Sequence, residues 1–185
     1  MVTSVDALMQ KIIPRQVISQ YAELIVLNEE INRDLLINKL ICGGYVRATI
    51  VEEPGDFSVR GGIVDIFTPL YANPLRIELY GDQVEAIRFF SAASQRKISD
   101  INEAVIIPAR EVVLNEEYLP QVINKIRTRA SELELAVTQV RSIVNHLKNQ
   151  EIFDGIESLV SYIYENLETM FDYLPSDSIF MVPDS

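Results

Sequence analysis

Apolar and polar residues alternate through much of the stretch from Phe57 to Phe90, the spacing of strands that bury one face. Phe57-Ser58-Val59-Arg60 forms a first short run after the turn signal Pro54-Gly55-Asp56. Gly61-Gly62 interrupts the pattern and predicts a bulge or a sharp bend, because two glycines pack nothing within a strand. Ile63 to Phe67 resumes it, and Thr68-Pro69 and Asn73-Pro74 bound a loop. From Leu75 to Tyr80, Leu75, Ile77 and Leu79 take one face and Arg76, Glu78 and Tyr80 the other. Gly81-Asp82 then turns the chain into a returning strand over Val84–Phe90. The pattern is an antiparallel meander with one face for a core.

Before the meander, Ser4 and Asp6 suit the cap of a short helix over Leu8–Ile12, ended by Pro14. Ala22–Leu27 reads as a strand. Asn32 caps a helix through Leu35, Leu36 and Leu40, and Gly43-Gly44 stops it. Tyr45–Val51 alternates and is expected to pair with the strand at Phe57 across the intervening turn, and Glu103–Pro108 forms a last strand. From about Asn115 the period changes to three and four residues. Leu119, Val122, Ile123, Ile126, Leu133, Val137, Val140 and Val144 predict one or two long amphipathic helices. Phe153–Glu165 predicts another helix, and Ile179–Val182 a final strand that lacks a partner in sequence.

The fold class that follows is α+β: a mostly antiparallel sheet with helices packed on one face, then a largely helical segment of an incomplete neighbouring domain. Its expected parts are a helical lead-in (1–19), the sheet domain (20–110) and the mainly helical part (111–185).

Composition narrows the function. A chain of 185 residues, 48% hydrophobic, can bury a sizeable core. The lone Cys42 provides no internal disulfide, and no apolar run is long enough for a bilayer, so a cytoplasmic setting without membrane contact is expected. The net charge is −11, and residues 111–185 hold 5 basic and 13 acidic side chains. Such a chain repels a phosphate backbone, which counts against direct nucleic-acid binding. No phosphate-cradling glycine loop occurs, His146 is the single histidine, and the paired acids Glu52-Glu53 and Glu116-Glu117 point apart. No cofactor, metal site or catalytic residue is therefore expected, and no enzyme activity.

Arg60, Arg76 and Tyr80 remain, projecting from the non-core face of neighbouring strands. Arginine and tyrosine often dominate protein interfaces, and two arginines with a phenol ring would suit an acidic, partly apolar surface. Any half-buried sheet also turns polar residues outward, and Arg76 facing Glu78 or Asp65 across strands is an alternative without a partner.

A resemblance bears on that choice. GDFSVRGGIVDIFTP, NPLRIELYGDQVEAIRFF and the following SQR resemble the signature of the domain shared by bacterial transcription-repair coupling factors and the excision-repair helicase UvrB. The segment FDGIESLVSYIYENLETMFDYLP through IFMVPDS is more similar to the coupling factors, since it lacks the GIENYSR-like run of UvrB. The resemblance extends from about Leu8 to Ser185. It implies a module that docks onto UvrA, the damage-recognition ATPase, through Arg60, Arg76 and Tyr80. Tyr80 stands where the family often has Phe, keeping the ring; Thr68 replaces a frequent Pro. The resemblance also implies a partner within the intact protein, a C-terminal domain that masks this face, and a parent that is an ATP-dependent DNA translocase. The nucleotide-loop, polymerase-binding and motor regions have no counterpart here, so the chain resembles an excised piece. Rival readings are a DNA-binding domain and a vestigial nucleotide-hydrolysing half with a mainly structural or autoinhibitory role.

Overall fold

The computed structural model describes residues 3–114, 118–149, 151 and 153–181. Its centre is a six-stranded sheet in which five strands follow one another antiparallel: β3 (Asp56–Arg60), β4 (Ile63–Ile66), β5 (Leu75–Tyr80), β6 (Gln83–Phe90) and β7 (Lys97–Ile101). The Gly61-Gly62 interruption is the two-residue turn of the β3–β4 hairpin, with Arg60 opposite Ile63. Gly61 has φ +60°, a conformation that side chains with a Cβ resist, as the first position of a II′ turn requires. Gly62 is needed for a different reason: a Cβ there would lie 2.4 Å from the carbonyl oxygen of Leu79. At the β5–β6 pair the register steps from Glu78↔Ala86 to Leu79↔Val84. This bulge turns both Val84 and Ile87 inward, three residues apart, and both are at most 1% exposed.

The sixth strand differs from expectation. Val46–Arg47 (β2) pairs with β3 in parallel, Val46 opposite Asp56, so Tyr45–Val51 does not form a hairpin with the strand at Phe57. The reason lies in the connection: Asp56 accepts from the Glu52 and Glu53 amides and Gly55 donates to Phe67, folding 48–55 into a loop. Strand β7 was not expected, because its burial pattern is almost wholly exposed and carries little alternation.

One face of the sheet is covered by α3 (Arg33–Cys42) and by a two-stranded antiparallel ribbon of β1 (Glu23–Val26) and β8 (Glu103–Ile106). Asn32 caps α3 by accepting from the Leu35 amide at 2.9 Å. Leu36 and Leu40 from α3, Ile25 from β1 and Ile106 from β8 join Phe57, Val64, Ile66, Leu75, Ile77 and Ile87 in the main core. Each such fully buried side chain contributes roughly 1.5–3 kcal/mol relative to exposure. The architecture is the expected α+β class: a mostly antiparallel sheet with a helix on one face, followed by a largely helical part.

That helical part has its own core. Helices α4 (Leu119–Glu132) and α5 (Val137–Lys148) bury Val122, Ile126 and Leu147 with Val112, Leu114, Ile156 and Val160. The periodic run is two helices, not one, separated where Glu134 adopts φ 52°. Neither Gly nor Pro marks that break. The helix expected over Phe153–Glu165 is a short 3-10 turn, Ile156–Leu159, followed by α6 (Val160–Ile163). Residues Ile179–Met181 form no strand, and Val182 lies outside the described residues. Among the described residues no strand edge pairs with this apolar run.

At the start of the chain, α1 (Val5–Met9) is capped by Ser4, and α2 (Arg15–Tyr21) begins directly after Pro14. This lead-in packs against the far end of the sequence. Ile12 bridges Glu168, the Arg15 amide donates to the Glu168 carboxylate at 2.8 Å, and Tyr173 donates to Ile13 O at 2.6 Å. Tyr173 belongs to α7 (Met170–Tyr173), whose first turn is closed by a capping box between Thr169 and Asp172.

Candidate functional site

The meander's second face carries the candidate residues, and its cross-strand register decides who meets whom. Ser58, Asp65, Arg76, Arg88 and Asp100 form one row across five strands. The next row holds Arg60, Ile63, Glu78 and Ala86. Arg76 and Arg88 thus stand directly opposite, an unfavourable like-charge pair unless each is neutralised. Each is. Arg76 donates to Asp65 through two atoms, Nε to Oδ1 at 2.7 Å and Nη2 to Oδ2 at 2.9 Å, a fork-on-carboxylate bond. Arg88 donates to Glu78 at 2.9 Å.

Asp65 is the hub. It is 1% exposed and also accepts from Arg60 Nη2 at 2.6 Å, so one buried carboxylate holds two guanidinium groups. The Arg76 guanidinium carbon lies 4.6 Å from the Phe90 ring centroid, within cation–π range. Phe90 packs with Val51 and Phe67 in a small cluster of its own, so this end of the outer face is apolar beneath the charges. The hydrogen bond to Asp65 pushes the Arg76 pKa further upward, keeping that group charged.

The structure therefore brings Arg60 and Arg76 together through Asp65, while Tyr80 stands apart. Tyr80 is four residues along β5 from Arg76, roughly 13 Å at strand spacing, and its neighbour across the turn is Gln83. The three differ in availability. Tyr80 is 78% exposed and the Arg60 side chain 51%, but the Arg76 side chain only 20%. A guanidinium carries five N–H donors. Among the described residues, Asp65 takes two of Arg76's donors and one of Arg60's, and no other hydrogen bond engages either fork. The face can thus still donate to an incoming carboxylate, and it offers an uncovered ring at one end. Arg88 was missed in sequence; only the register that sets it beside Arg76 and Glu78 reveals its place.

His146 donates from Nδ1 to the Glu151 carboxylate at 2.8 Å and stacks on Phe153, a local helix-end arrangement. Its bond holds the Glu151 carboxyl below the ordinary range. Among the described residues no three His, Cys, Asp or Glu side chains cluster as a metal site, and no helix is long and apolar enough to cross a membrane.

The architecture is thus an antiparallel meander backed by one helix and a two-stranded ribbon, with a salt-bridged outer face. Residues 24–112 match the family described as the UvrB interaction domain. Over most of its length the chain is similar to bacterial transcription-repair-coupling factors. It is 36% identical over 175 residues to that of Myxococcus xanthus, covering 94% of this chain and 15% of that protein. It is 34% identical over 167 residues to that of Staphylococcus aureus (strain MRSA252), covering 84% of this chain and 14% of that protein. The chain spans about 15% of the length of these curated relatives.

Proposed function

We propose that this chain acts as a protein-docking module of a transcription-repair coupling factor. Its outer sheet face recruits UvrA, linking stalled transcription to nucleotide excision repair. The observation that carries the reading is the pair of half-engaged guanidinium forks on Asp65, with spare donors, on the sheet of a UvrB interaction domain. Arg60 and Tyr80 supply the exposed contacts, and Arg76 works from a more buried position. The contact surface on UvrA would be acidic and partly apolar. The reading assigns no catalysis to this chain. In the intact protein the same face is where an intramolecular mask would sit, so a separate C-terminal domain would compete with UvrA for it.

Titration calorimetry with UvrA from the same organism tests the proposal. Arg60→Ala and Arg76→Ala should each weaken binding by about 2 kcal/mol, roughly thirtyfold, if they are dominant contacts. Equal binding by wild type and a folded double variant would remove the assignment. A duplex-DNA gel shift with steep salt dependence would favour the nucleic-acid rival instead.

A further inference from the structure

We propose that Asp65 is the positioning residue of this docking face: one buried carboxylate on β4 that fixes the guanidinium of Arg60 from β3 and that of Arg76 from β5 for a partner it does not itself touch. The inference rests on the UvrA reading above but concerns a residue with the wrong charge for an acidic partner. Judged by charge alone, Asp65 should weaken docking, and its removal should tighten it. The geometry points the other way. Asp65 is 1% exposed and spends both oxygens on three hydrogen bonds from the two arginines.

Without it, both long side chains would regain rotamer freedom, which an incoming partner would have to freeze again on binding. Phe90, 4.6 Å beneath the Arg76 guanidinium, limits that group on one side but supplies no acceptor to set the direction of its N–H bonds. Glu78 sets no direction for either group, since its hydrogen bond is to Arg88 at 2.9 Å and none runs to Arg60 or Arg76. The like-charge neighbours Arg76 and Arg88 would also repel across the strand pair once the carboxylate is gone. Preorganisation and partner attraction therefore have opposite signs at this one residue, and an experiment can separate them.

Asp65→Ala and Asp65→Asn are compared with wild type in two measurements. The first is surface plasmon resonance on immobilised UvrA at low and moderate salt. The positioning role predicts a dissociation rate at least tenfold faster for Asp65→Ala, with association unchanged or slightly faster. Asp65→Asn, which keeps the size and one acceptor oxygen, should fall between. The second is the Arg76 Nε–H signal in proton–nitrogen spectra of the unbound chain. It should be slow to exchange in wild type, and broadened or lost in Asp65→Ala. Tighter or unchanged binding by a folded Asp65→Ala would overturn the proposal, as would an unaltered Arg76 signal. Loss of the fold in both variants would assign Asp65 to stability alone and overturn it too. If wild type itself fails to bind UvrA, the docking reading falls separately, and the Arg76 signal still decides whether Asp65 orders the forks.

Discussion

Replacing Gly62 by alanine should be more damaging than replacing its neighbour Gly61, although only Gly61 has a backbone that favours glycine. At Gly61 a Cβ meets nothing within 4 Å, so the cost is the conformational strain of φ +60° in a II′ turn, about 1–3 kcal/mol. Part of that is offset by the smaller entropy of the unfolded alanine chain, about 0.4–1 kcal/mol. At Gly62 a Cβ would sit 2.4 Å from the Leu79 carbonyl oxygen, which belongs to the backbone of β5 and cannot swing aside. Relieving the clash requires β4 and β5 to part locally by about 1 Å. The Leu79 amide donates to Gly62 O at 2.7 Å, and that separation would carry the bond beyond useful length. Losing it costs about 1 kcal/mol, and loosening the packing between Val64 and Ile77 beneath adds to it. The expected sum is about 2–4 kcal/mol for Gly62→Ala, against at most about 2.5 for Gly61→Ala. Urea unfolding followed by circular dichroism reads both midpoints. The reasoning is wrong if Gly62→Ala lies within about 0.5 kcal/mol of wild type, or if Gly61→Ala is the weaker variant of the two. The β4–β5 register also sets Asp65 opposite Arg76, so Gly62→Ala should lower UvrA affinity even where it remains folded.

Three further outcomes are expected. Asn32→Ala removes the side-chain cap of α3 and should cost about 1 kcal/mol, read as a lower thermal midpoint; no change would mean that helix end is satisfied otherwise. Phe90→Leu keeps the apolar cluster but removes the ring under Arg76. It should cost about 1 kcal/mol in stability and change the Arg76 Nε–H chemical shift, whereas an unmoved shift would discount the cation–π contact. Burial pushes the Tyr45 hydroxyl up to about 12, above its unfolded value of 10.0, so the folded state holds that proton more tightly. Its contribution is complete below pH 10 and is lost as pH rises toward 12, at no more than about 1.4 kcal/mol per pH unit. Tyr45→Phe should therefore show a shallower fall in urea stability above pH 10 than wild type; parallel curves would count against it.

The local instructions were written in the order of residues. Alternation from Phe57 to Phe90 set the hairpins, the inward positions of Leu75 and Ile77, and the outward positions of Arg60 and Arg76, because a period of two assigns faces without any knowledge of neighbours. Asn32 and Gly43-Gly44 bounded α3 for an equally local reason: caps satisfy the backbone groups at helix ends. What sequence could not supply were facts that exist only between segments. The parallel pairing of β2, the β1–β8 ribbon joining residues some eighty apart, and the contact of Ile13 with Tyr173 all depend on chain paths through space. The same holds at the candidate site. The presence of Arg60, Arg76 and Asp65 was legible, but their convergence is set by the β3–β4 and β4–β5 registers. So is Arg88's place beside them, while Tyr80's distance follows from its position along β5. A side chain's face is a local property; its partner is a tertiary one.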